Sequence, residues 1–423
     1  VSDLNVPEPT AQRFIQRFEA AFGRRQSMLL KLAGFRFGEV SAAGAMVSDS
    51  GGGEWIDFGS FGVHLLGHRH PRVVEAVATK LTQMGLSTKI LGSDDLLACA
   101  QSLTRVCGSQ ASSVVFTNSG SEAIEVAIRL ANIATGRDGF AALEGGYHGK
   151  TLGAAALTDS AYRAAVAKSA LTVTRLPRDN PAEGVAMLRH AAPAALFIEP
   201  IQGEGGVRPI DEHYLRALRH ACREAKVLFV ADEIQTGLGR TGLVLESHRL
   251  GLDPDIVVLG KVLSGGLMPV AATLFDRSSV GERAADPILH SSTFAGGALA
   301  AAAARAVVDL IGEDGFLDQV NHLGAVAAER LERLDRRETG LVAVRQRGLM
   351  IGLEFETAAL CGRAVIEAAR RRLLVTFCLN EPKVMRVYPP AVISEADLLV
   401  GLALLNEAIG AAFQESRANQ IPA

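Results

Sequence analysis

The sequence predicts an α/β protein: a large domain around a mostly parallel sheet, with a small α+β domain drawn from both chain ends. Three observations carry this expectation. Four short runs are apolar without a break: Val114-Val115-Phe116, Ala195-Leu196-Phe197-Ile198, Val227-Leu228-Phe229-Val230 and Ile256-Val257-Val258-Leu259. Runs apolar at every position are buried on both faces, as in a parallel sheet covered by helices. A helical stretch from Glu212 to Lys226 separates the second and third runs. Finally, acids, glycines and a lone lysine crowd just beyond the carboxyl ends of the runs, where ligands of such sheets sit.

Taken in order, the first 40 or so residues read as helical and partly exposed. Ala45 to Ser48, the glycines 51 to 53 and Glu54 to Phe58 read as a β-hairpin. Pro71 to Gly85 is a helix, with Pro71 at its start, Val73, Val77 and Leu81 at helical spacing, and Gly85 as the stop. The Ala-rich stretch Ala298 to Ala304 reads as a tightly packed helix. From about Ile311 the pattern becomes α+β. It has a helix from Phe316 to Arg336, strands at Val342–Arg345, Met350–Phe355, near Val375 and at Val384–Val387, and a last helix from Ser394. The expected division is 1–65 and 311–423 for the small domain and 66–310 for the large one.

Composition excludes several classes. Across 423 residues, 48% are apolar and 21% charged, so the chain is not a disordered one. The formal net charge is −3, and neither nucleic acid nor membrane is an expected partner. The 43 glycines follow no G-X-Y period. No apolar run reaches the roughly 20 residues of a membrane span. The polar start, Val1 to Gln12, does not read as a signal peptide. Cys99, Cys107, Cys222, Cys361 and Cys378 show no metal spacing. A cytoplasmic protein with reduced thiols and no metal is expected.

Several residues could do chemistry. Lys261 directly follows an apolar strand, where burial lowers an amine's pKa and makes it a nucleophile suited to a Schiff base. A snorkelling lysine is the plain alternative. Asp232 ends the neighbouring strand and could hold a protonated ring nitrogen, or be an ordinary acid at a strand end. Ser119-Gly120-Ser121-Glu122 opens a helix. It has capping-box spacing, and the same N–H groups make an anion site. Tyr147, on a glycine-rich loop before His148, could stack on a planar ring. Gly237-Leu238-Gly239-Arg240-Thr241-Gly242 matches GxGxxG, but five residues separate it from the strand, against a dinucleotide site.

In this order the pieces resemble fold-type I pyridoxal-phosphate enzymes, specifically the class III (ω-) aminotransferases. The motifs are GHRHP (67–71), FTNSGSEAIEVAIRLA (116–131), YHGKTLG (147–153), IEPIQGEGG (198–206), ADEIQTGLGRTG (231–242), PDIVVLGKVLSGG (254–266) and HSSTFAGG (290–297). The resemblance implies pyridoxal 5'-phosphate as cofactor. It makes Lys261 the Schiff-base lysine and proton carrier, and Asp232 the partner of the pyridine nitrogen. Gln235 sits near the ring hydroxyl, Tyr147 stacks on the ring, and Ser119, Gly120 and Ser121 hold the phosphate. His148 and Glu199 complete the cofactor set. Thr293 reaches the phosphate of the other subunit, implying a homodimer with shared sites. Glu204 and Arg386 match the family's substrate switch, in which the Arg binds the α-carboxylate of 2-oxoglutarate and the Glu neutralises it for the other substrate. Phe61 is expected at the substrate pocket.

Several stretches look most like putrescine (diamine) aminotransferase. The family's Gly-Gly-Asn-Pro after the threonine is here Ala295-Gly296-Gly297-Ala298. The implied reaction moves an amino group from a diamine or ω-amino acid (putrescine, an ornithine derivative or 4-aminobutyrate) to a 2-oxo acid. A specialised-metabolite substrate, or an aminomutase or decarboxylase on the same fold, are the alternatives. A non-catalytic binding protein has no need of Lys261 and Asp232 together.

Overall fold

The computed structural model describes residues 11–35, 37–108, 112–160, 171–334 and 338–418. The reading of the polar start therefore lies largely outside the described residues, as does the expected helix end at Arg336.

The chain begins with helices Ala11–Phe22 and Arg24–Ala33. Gly34 closes the second one with a left-handed φ of 76°, a conformation glycine adopts without steric cost. The expected helical region thus ends early, and Glu39–Ala43 is a strand instead. It pairs antiparallel with Met46–Asp49, which pairs in turn with Glu54–Asp57. The Asp49 carboxylate fixes the glycine turn of this hairpin by accepting the amides of Gly51 and Gly53 at 2.8 and 2.9 Å. The C-terminal strand Leu373–Leu374 adds parallel to Glu54–Asp57, so the two ends of the chain share one sheet.

The central sheet has seven strands. Their order is Ser113–Thr117, Ala271–Phe275, Ile256–Leu259, Leu228–Asp232, Ala195–Ile198, Gly139–Leu143 and Thr172–Leu176. All four sequence-predicted strands are here. Ala271–Phe275 runs antiparallel to both its neighbours, Ile256–Leu259 and Ser113–Thr117. The unbroken apolar runs have the expected cause. Phe197, Val230 and Val258 pack under helix Gly120–Thr135, through Ile124, Ala127 and Ile128. Leu196, Ile198 and Phe229 pack against Leu215, Leu218 and Cys222 of helix Glu212–Ala225. Val257 and Leu259 meet the Ala-rich helix Ala298–Ile311, whose small side chains leave room for two further helices, Pro71–Gln83 and Asp94–Val106. All five cysteines are buried and unpaired.

A third sheet, entirely antiparallel, runs Leu341–Arg347, Met350–Phe355, Val384–Val387, Thr376–Phe377. Helix Phe316–Glu332 ends at its C-cap Arg333. The last helix, Glu395–Ala418, is long and apolar enough by composition to cross a membrane. Its Leu398, Leu402, Leu405, Ile409 and Ala412 form one helical stripe buried in the core shared with both chain ends.

Candidate active site

The carboxyl ends of the central strands open onto a cavity of about 200 Å³. Lys261 stands on one wall. Strand Ile256–Leu259 ends at Gly260, and Lys261 then takes a left-handed φ of 41°, rare for a residue with a side chain. Ser264 holds this turn: its hydroxyl donates to the Lys261 carbonyl at 2.7 Å and accepts the Gly266 amide at 3.0 Å. The serine and glycines after the lysine thus shape the backbone that aims it. Burial lowers the Lys261 pKa below the ordinary lysine value, against the opposing pull of Glu204 and Asp232. The shift is toward the neutral form, the one that acts as a nucleophile.

Asp232 ends the adjacent strand and is buried. Its Oδ1 accepts the Ile234 amide at 3.1 Å, and its Oδ2 pairs with His148 Nδ1 at 2.8 Å. His148 lines the cavity, and its ring also steadies the carboxylate. Glu199 lines it too, but both its oxygens hold backbone, Oε1 accepting the Tyr147 amide (2.7 Å) and Oε2 the Gly203 amide (3.2 Å). Burial, then the nearby charge of Asp232, pushes its pKa well above the usual carboxylate range. Glu199 therefore fixes the two loops that carry Tyr147 and Glu204.

Helix Gly120–Thr135 points its N-terminus at the same cavity. Ser119 caps it, its hydroxyl accepting the Glu122 amide at 3.3 Å. Glu122 folds back to the Asn118 amide at 3.1 Å, so capping and an anion cradle coexist. The first-turn amides of Gly120 and Ser121 have no partner inside a helix. A Cβ on Gly120 would lie 2.8 Å from Ile234 Cδ1, so the absent side chain keeps the helix start close to the loop after Asp232.

These features fit pyridoxal phosphate. The cavity suits a small planar ring, with an amine on one wall and a buried carboxylate for a ring nitrogen. The amides and hydroxyls of Ser119, Gly120 and Ser121 suit a phosphate. Thr293 is exposed and is not among the described residues lining the cavity. It sits in a surface loop whose Ser292 hydroxyl approaches Asn118 Nδ2 at 3.4 Å.

Glu204 and Arg386 lie beside this cavity, both buried, with Glu204 Oε1 accepting from Arg386 Nη1. The other oxygen of Glu204 accepts the Leu379 amide at 2.9 Å. The Arg386 guanidinium stands 6.0 Å from the centre of the exposed Phe61 ring. All three expected substrate residues therefore meet at one place.

Sequence reasoning missed Tyr388. It is buried between the guanidinium groups of Arg240 and Arg386, at 5.5 and 5.7 Å from its ring centre. Its hydroxyl donates to Gln235 Oε1 at 2.7 Å, tying the substrate end to the cofactor end. Alternation along Val384–Val387 was the available signal, since Tyr388 is two residues past Arg386 and faces the same way. A larger groove, about 770 Å³, lies elsewhere and is lined by arginines that include Arg208, Arg249 and Arg345, each in an ion pair with a glutamate.

A doubly covered sheet with a lysine, an acid and an anion cradle at its strand ends defines a pyridoxal-phosphate-dependent transferase of fold-type I. The chain belongs to the Aminotransferase class-III family, whose model matches residues 36–409. It is 35% identical over 357 residues to acetylornithine aminotransferase of Methanosarcina mazei, covering 84% of this chain and 87% of that one. It is 37% identical over 382 residues to acetylornithine aminotransferase of Mycobacterium tuberculosis (strain H37Rv), covering 88% and 92%. The ornithine aminotransferase structure from Toxoplasma gondii superposes with a TM-score of 0.85 at 26% identity, covering 97% of each chain. The protein is a pyridoxal-phosphate-dependent aminotransferase.

Proposed function

We propose that this aminotransferase takes the terminal amino group of an ornithine derivative and passes it to 2-oxoglutarate in a ping-pong cycle. The buried Glu204–Arg386 pair beside Lys261 carries this reading. A guanidinium makes a two-pronged fit to a carboxylate, so Arg386 suits the α-carboxylate of 2-oxoglutarate. With a donor that brings no carboxylate to that spot, Glu204 supplies the countercharge. The relatives named above, acetylornithine and ornithine aminotransferases, support a donor of this class over putrescine or 4-aminobutyrate.

Pyridoxal phosphate, when bound, supplies the carbonyl that receives the amino group and a ring that takes up an electron pair. The chain's own residues do the rest. Lys261 would hold the cofactor through its amine and carry the proton at the donor carbon. Asp232, steadied by His148, keeps a proton on the ring nitrogen. Ser119, Gly120 and Ser121 bind the phosphate, Tyr147 covers the ring and Gln235 lies near its hydroxyl.

The same reading includes a homodimer in which Thr293 of each subunit reaches its partner's phosphate. An apolar surface supports it: Ile90, Leu91, Ile288 and Phe294 are all exposed around Thr293, and Lys89 donates to the Ser292 carbonyl to join the two segments. A cytoplasmic location agrees with the five free thiols.

The test is glutamate formation from 2-oxoglutarate with N-acetylornithine, ornithine, putrescine and 4-aminobutyrate as donors. The reading expects the ornithine compounds to lead. Turnover of a donor without any glutamate would favour an aminomutase or decarboxylase instead.

A further inference from the structure

The strand Glu54–Asp57 ends, like the strand that carries Asp232, in a buried acid. Asp57 accepts four hydrogen bonds. Its Oδ1 takes the amides of Gly59 and Ser60 at 2.8 and 3.1 Å, and its Oδ2 takes the Ser60 hydroxyl and His68 Nε2, the latter at 2.7 Å. Nothing in the proposed chemistry uses these contacts. What they fix is the short turn Ser60–Gly62, in which Phe61 adopts φ 52° and ψ 16°.

A phenylalanine in the left-handed region is an outlier, and such strain persists only where the surroundings over-determine it. Packing does not do so here, because Phe61 is 66% exposed within this chain. The backbone around it is held instead. Phe58 donates its amide to the Leu374 carbonyl (2.9 Å) and accepts the Tyr388 amide (2.6 Å). Gly62 lies so close to Tyr388 that a Cβ would sit 3.0 Å from the ring, and 3.7 Å from Lys261 Cδ. His68 stacks on His64, with ring centres 3.8 Å apart, and His64 rests against Gly266 of the turn after Lys261.

We propose that Asp57 is a positioning residue for substrate selection: through the Ser60–Gly62 turn it holds Phe61 beside Arg386, walling the end of the pocket that takes the acceptor's carboxylate. This rests on the reading of Arg386 given above. The Asp57 pKa agrees: burial alone raises it, yet the bonds from His68, Ser60 and Gly59 outweigh that and bring it to about 2, so the anion is the form that holds the turn.

The experiment compares Asp57→Asn, Phe61→Gly and the double variant as holoenzymes. It reads KM for 2-oxoglutarate, kcat, and pyridoxal phosphate affinity by absorbance titration. Asp57→Asn is expected to raise the acceptor KM about tenfold, the scale for losing a charge-assisted contact, with kcat within about twofold. Cofactor affinity is expected to stay unchanged. Glycine adopts the left-handed turn unaided, so the double variant is expected to match Phe61→Gly alone. Equal KM in Asp57→Asn and the wild type, or a full additional effect of Asp57→Asn on the Phe61→Gly background, overturns the proposal. Should Asp57→Asn not fold, Ser60→Ala removes one of the four contacts. It is expected to raise the acceptor KM about threefold, and only when Phe61 is present; no change overturns the proposal. If Phe61→Gly moves the acceptor KM while Asp57→Asn does not, only the role of Asp57 is lost. If neither Phe61→Gly nor Arg386→Ala moves it, the reading of the substrate end fails as well.

Discussion

The two ends of the site stand on different foundations. Lys261 and Asp232 end neighbouring parallel strands, with Val258 paired directly to Asp232, and the packed helices on both faces leave those strands nowhere to go. Glu204, Arg386 and Phe61 come from a loop, a strand of another sheet and a tight turn. They are joined by one buried ion pair and a few polar contacts. Hydrophobic burial fixes the first end, and specific polar bonds fix the second. The first end therefore suits chemistry common to every substrate, and the second suits selection between substrates.

The largest effects are expected at the strand ends. Lys261→Ala should cost turnover at least about 10³-fold, since it removes the proposed nucleophile and proton carrier. Steady-state rates and circular dichroism should show a folded, inactive protein; retained turnover would break the assignment of chemistry to this end. Asp232→Asn should cost on the order of 10²-fold in kcat, the scale for removing one preorganised electrostatic partner. The phosphate cradle should still retain cofactor on dialysis.

The turn that links the ends should show in stability. His64 is half-buried beside His68, and burial, then the charge on His68, lowers its pKa from 6.5 to about 4. A group held neutral in the fold binds its proton first in the unfolded chain. Its contribution is therefore fully present above pH 6.5 and is lost as pH falls from there to 4. Each pKa unit is worth about 1.4 kcal/mol, so roughly 3 kcal/mol is at stake. Urea melts across that range should show the loss, and His64→Gln should flatten it. The smallest effect is one of packing. A Cβ on Gly401 would lie 2.3 Å from the Phe58 ring, just before the Phe61 turn. Gly401→Ala should cost about 2 kcal/mol by overpacking. Thermal melts should fall, the acceptor KM should rise slightly, and cofactor affinity should hold, which sharpens the division between the two ends.

The same division governs what could be read from the sequence. The runs at 195–198, 228–231 and 256–259 announce themselves because burial on both faces leaves no polar residue in them. Lys261 and Asp232 then stand out as polar residues directly after oily runs. Ala271–Phe275 looks like any other apolar stretch, and its antiparallel direction depends on pairing partners far away in the chain. The strand Glu39–Ala43 hid among helical neighbours, and only the left-handed Gly34 marks the break. Glu204 and Arg386 were placed by resemblance, because no local pattern says that two residues so far apart will meet. Tyr388 and Asp57 carried readable signals, strand alternation and an acid at a strand end. What hid their roles was the need to know what packs against them.

The division of labour between the two ends is tested most directly by single-turnover kinetics of each half of the cycle in Glu204→Gln. The donor half is expected to slow about tenfold or more, because the Arg386 charge is left buried without its partner, while the 2-oxoglutarate half keeps its rate. Equal slowing of both halves, or none in the donor half, would contradict that division.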